Sequence, residues 1–438
     1  MQKMADFSNI KDISFASLNK ENLLSRTRGD RFIWGVVLML VMISLLVVYS
    51  ATNSLAYKNY HGNTSIYLFK QFSFIVLGLL VIYFMHRVNY TIYSRVSVIL
   101  YLISIPLLIY TLFFGVEVND ASRWIQLPVI NMTIQTSDLA KLGLFMYLSR
   151  QLSRKQNDIK DFKKGFLPII IPVCITCVLI MPENLSNALL AGLTSLMLMF
   201  IGRVSFKHIF LVIGLALIPV LIIVSVAMST HNADKSGDDS KSAVSETLSS
   251  FGRFGTWVQR VQDFMYAEDT EIPYQVQQQN IAIANGGILF GLGPGNSRQR
   301  NYLPQAYNDS IYPIIIEEYG LIGGFFVLFM YIIFLFRCIR VFRKCPYAFG
   351  AFLALALSFT LVIQAMANMA VGVNLIPVTG VTLPLVSMGG SSLLFTCASI
   401  GIILSVARNM ETPIPPHGGE ETASVPTKEI SENKNISS

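Results

Sequence analysis

The residue with the clearest chemical potential is Asp309, which lies in a polar segment directly before a long apolar run. Its carboxylate could cap the helix predicted there or act as a base. If Asp309 were the cap, Pro313 would be the fourth helical residue and would waste an intrahelical hydrogen bond. With Ser310 as the cap, the missing N–H of Pro313 costs nothing. The spacing therefore predicts Ser310 as the cap and leaves Asp309 available as a base.

A glycine-rich segment precedes this carboxylate. Gly291, Gly293 and Gly295 alternate with other residues, and two basic side chains follow, Arg298 and Arg300. Such a segment can present backbone N–H groups to a phosphate. The alternative is a tight turn at the membrane surface. It is not a Walker or dinucleotide motif, because no strand is predicted before it and no GK[ST] ends it.

Two further cations stand in apolar surroundings. Lys141 lies within an apolar run, where it should face protein or a polar cavity and pair with a carboxylate such as Asp138. Arg123 precedes Trp124 in a short loop. The guanidinium could bind a phosphate, whereas the indole is typical of the membrane interface.

Two acidic residues, Glu317 and Glu318, lie about two turns into the apolar run that follows Asp309. A carboxylate inside a membrane indicates function by default. Placement near a helix N-terminus or at the interface explains the pair equally well, so both interpretations stay open.

The segment from residue 374 to 392 carries no charge but is rich in Pro, Gly, Ser and Thr. Irregular backbone at membrane depth is tolerated only where protein or a watery cavity surrounds it. The segment therefore predicts a re-entrant loop that lines a cavity.

The elements that must position these residues are membrane helices. Of the 438 residues, 53% are hydrophobic and only 13% are charged, whereas a soluble domain carries roughly 25% charge. The missing charge indicates a bilayer, because lipid cannot solvate ions. The net charge of +7 comes from short clusters beside apolar runs. That arrangement is typical of topology signals and does not indicate a nucleic-acid partner.

Ten apolar runs predict an all-α integral membrane protein of about ten transmembrane helices, since a hydrocarbon core of about 30 Å needs about 20 residues. Two of the runs are short and closely spaced, which predicts a helical hairpin. The predicted spans are 32–52, 66–85, 91–114, 132–150, 166–182, 185–202, 207–229, 311–336, 347–371 and 388–408.

Lys and Arg cluster in the N-terminal tail, 1–31, and in alternate loops, which predicts that both termini are cytoplasmic. The polytopic domain covers 32–408. The polar tail after it, 409–438, is predicted to be a disordered cytoplasmic tail. One long loop, 230–310, joins the seventh and eighth helices on the extracytoplasmic side.

Loops of this length are usually functional or disordered, and this one shows signs of both. Residues 231–250 are typical of a flexible segment. Residues 253–266 predict an amphipathic helix, lying either on the membrane surface or on the protein's own outer face. Residues 275–290 predict a second, partly buried helix.

Four stretches of sequence resemble the motifs of one family, the SEDS proteins of shape, elongation, division and sporulation. The resemblance covers nearly all of residues 30–410, and the division branch of the family is the most similar, with the elongation branch second. The four stretches are Ala121-Ser-Arg123-Trp124, Ser137-Asp138-Leu-Ala-Lys141-Leu, residues 291–309 and residues 377–392.

The resemblance implies a peptidoglycan glycosyltransferase that polymerises lipid II at the outer face of the cytoplasmic membrane during septal cell-wall synthesis. It implies that Asp309 is the essential residue, acting as the general base. The released diphosphate would be stabilised by basic groups or by a divalent cation, Mg²⁺ or Mn²⁺. The candidate substrate-binding residues are Arg123, Lys141, Arg298, Arg300, Ser387, Gly389, Gly390 and Ser391.

The resemblance also implies partners: a class B penicillin-binding protein that acts as the septal transpeptidase, other proteins of the division complex, and the bilayer itself. Two alternatives from other classes remain at this stage. One is a lipid II flippase, which ten helices and a polar cavity would suit. The other is a non-catalytic scaffold that recruits the transpeptidase.

The chain departs from the family pattern in a few places. Asp138 stands in place of the usual Glu, Ser310 in place of Phe, and Met388 in place of Tyr. Residues 182–187 also differ, so detailed inference for the hairpin of the fifth and sixth helices is not carried over. None of these departures removes Asp309.

Overall fold

The structure, a computed structural model, describes residues 29–53, 55, 64–118, 121–127, 132–236, 254–266 and 272–411. Within these ranges each of the ten predicted spans contains a helix. These are α1 (Arg31–Ala51), α2 (Ser65–Arg87), α3 (Tyr90–Phe114), α4 (Thr136–Arg154), α5 (Leu167–Ile180, entered through a π-helical turn, Phe162–Phe166), α6 (Leu185–Ile201), α7 (Phe206–Ser236), α10 (Ile311–Lys344), α11 (Ala348–Gly372) and α12 (Gly390–Glu411). Two further helices, α8 (Phe254–Met265) and α9 (Tyr274–Gly286), lie in the long loop.

Eight of the helices in the described ranges are long and apolar enough to cross a membrane, which makes this a multi-pass membrane protein. Of the ten helices that occupy the predicted spans, the remaining two are α6, which is apolar but shorter, and α4. The helix α4 contains Asp138, Lys141, Arg150 and Arg154, so it lacks the required apolarity. Neighbouring helices rather than lipid surround most of its side chains.

The helices differ sharply in how much of their surface other helices cover. In α11 and α12, 78% of the residues in the apolar window are buried, so these two form the centre of the bundle. In α7 the corresponding share is 11%. Its exposed apolar side chains fit a helix that faces lipid on most sides.

A small antiparallel sheet precedes α4, in the order β1 (Val116–Val118), β2 (Ala121–Leu127) and β3 (Met132–Gln135). Trp124 pairs with Val116 on one side and with Gln135 on the other. The predicted start of the fourth helix at residue 132 is wrong, because residues 132–135 form β3 and the helix begins at Thr136. Backbone pairing with β2 holds this stretch extended.

The helix α10 is broken at Gly320, whose φ of 71° and ψ of −178° are not helical. The break leaves backbone groups without helical partners, and the loop after α9 supplies replacements. The carbonyls of Glu317 and Glu318 accept from the N–H groups of Leu292 and Gly293, at 2.9 and 3.0 Å. The N–H of Leu321 donates to the carbonyl of Gly287 at 3.2 Å.

The loop helix α8 packs on the protein, which favours one of the two alternatives left open by its sequence. Val258 is buried against Ile223 and Ala227 of α7. Gln262 Nε2 also donates to the carbonyl of Ala227 at 3.0 Å. Only the end of the helix around Phe264 presents large apolar side chains to the surroundings.

Two predicted limits in the long loop need correction, and one prediction is untested. The helix α9 ends at Gly286 rather than at 290, because the chain must turn to meet the break in α10. The helix α7 continues to Ser236, so part of the segment predicted to be flexible is helical. Residues 237–253, and most of both predicted tails, lie outside the described residues.

Close packing of the loop on α10 generates a prediction about Gly291. A Cβ atom at this position would lie 2.3 Å from the carbonyl carbon of Glu318 and 2.5 Å from the carbonyl oxygen of Glu317. Since both are backbone atoms, Gly291→Ala must displace the loop, and overpacking of this kind costs about 1–3 kcal/mol. We expect a lower midpoint of thermal unfolding for the detergent-solubilised variant.

Gly35→Ala is the matched control, because a Cβ atom at Gly35 meets nothing within 4 Å. Alanine is also the better helix former there, so this variant should melt at the wild-type temperature or slightly above it. Equal melting temperatures for the two variants would contradict the proposed close approach.

Candidate active site

The segment that carries Asp309 is held by its main chain at three successive positions. The carbonyl of Tyr307 accepts from the N–H of Met388 at 2.9 Å. The carbonyl of Asn308 accepts from the hydroxyl of Ser387, and that of Asp309 accepts from Nδ2 of Asn368 at 2.8 Å. All three donors belong to α11 or to the closing segment, which we define as residues 373–389. We call these three bonds the backbone clamp.

Asp309 lies just before the first half of the broken helix, where the sequence predicts it. The helix begins at Ile311, Ser310 occupies the cap position and Pro313 is the third helical residue, as predicted. The Ser310 side chain, however, does not cap the helix. Its hydroxyl accepts from the amides of Gln275 and Gln279 of α9, at 3.0 and 3.2 Å, and so ties that helix to the start of α10.

A tyrosine adjacent to this carboxylate is kept neutral. Burial raises the pKa of the Tyr307 phenol above its usual value, and the nearby Tyr67 and Asp309 side chains add to the shift. Because the neutral phenol retains its proton at physiological pH, it can act as a hydrogen-bond donor beside Asp309.

The glycine-rich segment is folded around a carboxylate of the protein itself. The Glu317 carboxylate is 0% exposed and accepts from the N–H groups of Arg298 and Gln299, each at 3.2 Å. It also accepts from the hydroxyl of Ser297 and from Nδ2 of Asn285. The N–H groups of Arg298 and Gln299 are therefore occupied by Glu317 and are not available to a phosphate.

Glu318 closes the same loop from the other side. Its carboxylate accepts from the hydroxyl of Ser50 in α1 and lies near the backbone of Gly295 and Ser297. The Arg300 guanidinium lies beside it, donating to Ser50 Oγ at 3.0 Å and to the carbonyl of Gly295 at 2.6 Å. Arg300, predicted to bind substrate, is thus part of the loop's internal structure.

The other predicted cations have different surroundings. Lys141 pairs with Asp138 at 2.9 Å, as predicted, and its ammonium group lies 3.4 Å from Oε1 of Gln364. Arg298 is exposed at the surface of the glycine-rich loop. Arg123 lies in β2, and the position of its side chain is outside what the structure describes.

The closing segment has the irregular backbone predicted for it, and its polar groups face protein. The hydroxyl of Ser387 accepts from the N–H of Leu383 at 2.9 Å while donating to the clamp. Gly389 and Gly390 lead into α12, and Ser391 Oγ accepts from the N–H of Gln135 at 3.3 Å. Ser387 and Ser391 therefore position main-chain segments, and their predicted contact with substrate stays untested.

An apolar cavity of about 330 Å³ adjoins this end of the bundle. Its walls come from α2, α3, α4 and α12, with Ile134 of β3 and Ser391 among the lining residues. Along α12 it extends from Ser391 to Ile402, which is about 16 Å at the helical rise. Met146 and Phe395 are typical of its lining, so the cavity suits a hydrocarbon chain.

Two site residues were not found from the sequence, Gln364 and Asn368. They are amides spaced one turn apart in the otherwise apolar helix α11, and both are buried, at 8% and 1% exposed. That spacing was the available signal, because two amides on one face of a membrane helix must have polar partners.

No cluster of three or more His, Cys, Asp and Glu side chains in the described ranges is arranged to hold a metal ion. A resident metal site built from side chains alone does not fit the residues described. The divalent cation implied by the resemblance remains a prediction, and no step is assigned to it.

Comparison with known proteins shows the family. Residues 30–412 match the family model described as "Cell cycle protein", which groups FtsW, RodA and SpoVE. The chain belongs to this family, the SEDS family. Stage V sporulation protein E of Bacillus subtilis is 31% identical over 87% of this chain and 98% of that protein. A probable peptidoglycan glycosyltransferase FtsW of Trichlorobacter lovleyi is 30% identical over 86% of this chain and 94% of that protein.

Solved SEDS structures have the same fold. One solved structure is described as "Structural coordination of polymerization and crosslinking by a peptidoglycan synthase complex". A chain from it superposes on this chain with a TM-score of 0.65. It is 24% identical, and the match covers 88% of this chain and 99% of that one. Rod shape determining protein RodA of Thermus thermophilus gives a TM-score of 0.60 at 20% identity, over 87% and 97% of the two chains.

The position of Glu317 inside the glycine-rich loop generates a second prediction. Glu317→Leu leaves the buried N–H of Gln299 and the partly buried N–H of Arg298 without their acceptor, and loss of a buried partner costs about 1–3 kcal/mol. We expect the loop to open and trypsin to cleave faster after Arg298 and Arg300 in the intact, detergent-solubilised protein. Glu317→Gln keeps one acceptor oxygen and should give an intermediate rate.

Asp158→Asn is the control, because this carboxylate is exposed in a different loop. Its rate of cleavage after Arg298 and Arg300 should equal that of the wild type. Wild-type cleavage rates in Glu317→Leu would contradict the role assigned to this carboxylate.

Proposed function

We propose that this protein is a peptidoglycan glycosyltransferase that polymerises lipid II into glycan strands during septal cell-wall synthesis, with Asp309 as the general base. The observation that carries the proposal is the backbone clamp, which fixes the main chain of residues 307–309. The names of the FtsW relatives support the same reaction.

The reaction needs a base at a fixed position. The 4-hydroxyl of the acceptor GlcNAc attacks the anomeric carbon of a MurNAc attached to undecaprenyl diphosphate. As the new C–O bond forms, the hydroxyl proton passes to Asp309, and the bond between the anomeric carbon and the diphosphate oxygen breaks. Undecaprenyl diphosphate leaves with the electron pair. A well-placed base contributes typically 10²–10⁴-fold to such a step.

The leaving diphosphate gathers negative charge and requires cations. Arg298 is exposed on the loop that precedes Asp309, and Arg123 lies in the neighbouring sheet, so these two are the proposed contacts. Lys141 is already paired with Asp138, and Arg300 already lies against Glu318. These two cations therefore contribute through the local field rather than by direct contact.

The lipid tails explain why such an enzyme is built from membrane helices. A hydrocarbon chain in the cavity along α12 would stay out of water while the sugars react beyond Ser391. Ser391 is near the clamp in sequence, since Ser387 and Met388 supply two of its three donors. The proposed substrate thus has its apolar and polar parts on the two sides of one short segment.

The proposed location is the cytoplasmic membrane at the division septum, with the glycine-rich loop and the clamp on the outer side. The proposed partner is a class B penicillin-binding protein, which would cross-link the strand that this protein makes. The likeness to a chain from a peptidoglycan synthase complex agrees with that partner. Division rather than elongation is proposed because FtsW proteins are among its relatives.

Asp309→Ala tests the proposal directly. Purified protein, alone and with its transpeptidase, is given lipid II in detergent, and glycan polymer is separated on a gel. We expect polymer from the wild type and a loss of at least about 100-fold in Asp309→Ala, because the base is removed. Asp158→Asn, which alters an exposed carboxylate in another loop, should polymerise at the wild-type rate.

The same assay separates the alternatives. A flippase would make no polymer in detergent with any variant, with or without the partner. A scaffold would also make none, and its Asp309→Ala variant would support division in cells as the wild type does. Either result would overturn the proposed activity.

A further inference from the structure

The helix α11 places two buried amide side chains, Gln364 and Asn368, on one face. The hydrogen bonds of Asn368 indicate its role more clearly than those of Gln364 do. A buried carboxamide is unfavourable unless it is hydrogen-bonded, so its partners show what the residue does. Asn368 Nδ2 donates to the carbonyl of Asp309 at 2.8 Å and to the carbonyl of Val381 at 2.7 Å. Because the nitrogen carries two hydrogens, each carbonyl receives one of them.

These two carbonyls belong to different irregular segments, which Asn368 joins. One segment is the turn that ends at Ser310, and the other is the closing segment. Both carbonyls belong to residues outside the helices and strands. A single amide thus cross-links the chain at the candidate base to the middle of the segment that supplies the other clamp donors.

Gln364, one turn earlier, makes the cross-link rigid. Its Nε2 donates to the carbonyl of Thr382 at 3.1 Å, the residue next to Val381. Its Oε1 lies 3.4 Å from the ammonium group of Lys141. Two consecutive carbonyls of the closing segment are therefore fixed to the most buried part of the bundle.

Backbone strain on both sides of the cross-link indicates that it is held against a conformational preference. Gln305, in the turn before Asp309, has a φ of 49°, and Leu385, in the closing segment, has a φ of 65°. Residues with side chains rarely adopt this left-handed region. Such strain persists where surrounding contacts over-determine the backbone, and it concentrates at functional sites.

We propose that Asn368 is a positioning residue for the reaction: its amide sets the main-chain position of Asp309, and so the direction of the carboxylate towards the acceptor hydroxyl. This inference rests on the proposed function, because it assigns a role to Asn368 only if Asp309 is the base. Asn368 acts through the main chain and does not itself contact the reacting atoms. A displacement of about 1 Å at a reacting group can cost about 100-fold in rate.

The test is Asn368→Leu, which keeps the branched outline of four side-chain heavy atoms and removes both donors. Lipid II polymerisation is measured over a range of substrate concentrations, and the melting temperature is measured in the same detergent. We expect kcat to fall about 10- to 100-fold while KM stays within about twofold, because the substrate contacts are retained.

Leu353→Ala is the matched control for lost stability. Leu353 is 0% exposed near the other end of the same helix, so its truncation destabilises α11 without touching the clamp. Assayed below both melting temperatures, Leu353→Ala should keep the wild-type kcat. If Asn368→Leu loses no more turnover than this control, the inference is overturned.

Two other results have distinct meanings. A raised KM with an unchanged kcat would overturn the inference by assigning Asn368 to substrate binding. Full activity in Asp309→Ala, run in parallel, would overturn the proposed role of the base itself. Inactive Asp309→Ala together with fully active Asn368→Leu would overturn only the positioning role.

Discussion

Backbone that is neither helix nor strand must find hydrogen-bond partners inside the protein wherever lipid surrounds it, and the rest of this structure depends on that constraint. The chain is irregular in two places at one end of the bundle, between α9 and α10 and between α11 and α12. Each irregular segment satisfies the other or is satisfied by a buried side chain. The outcome is a pair of segments that are not free to move independently, and Asp309 lies in the first of them.

The carboxylates in this region divide into two kinds. Glu317 and Glu318 are buried, at 0% and 1% exposed, and are surrounded by N–H and O–H donors. Donors supplied by the protein hold both carboxylates in place, which makes these groups structural. Asp309 is half-buried, and what the clamp fixes is its main chain. Two of the acidic residues therefore hold a loop in place, and the third, Asp309, is the proposed base.

Sequence reasoning located the membrane helices and Asp309 because both leave local signals. Hydropathy is a property of continuous runs, and the spacing of Ser310 and Pro313 is enough to define the start of α10. The sheet before α4 was not predicted, because its strands are short and their pairing partners are set by the fold rather than by the local sequence. The break at Gly320 was not predicted, because a single glycine in an apolar run gives no distinctive sequence signal.

Long-range partners explain the remaining differences. The glycine-rich segment has the composition of an anion-binding loop, and it does bind carboxylates, but they belong to Glu317 and Glu318 further along the chain. No local pattern reveals that a loop's ligand is its own protein. The roles of Ser387 and Asn368 likewise depend on carbonyls 79 and 59 residues away.

The break at Gly320 divides α10 into two parts of different length. A continuous helix from Ile311 to Lys344 would be about 50 Å long, far more than a hydrocarbon core of about 30 Å. The part after the break is about 36 Å long and can cross the membrane alone. The part before it is about 13 Å long and ends at Asp309 and Ser310. Under the proposed function, the sugars of a membrane-bound substrate must therefore reach the start of this shorter part, whereas the longer part alone is long enough to cross the bilayer.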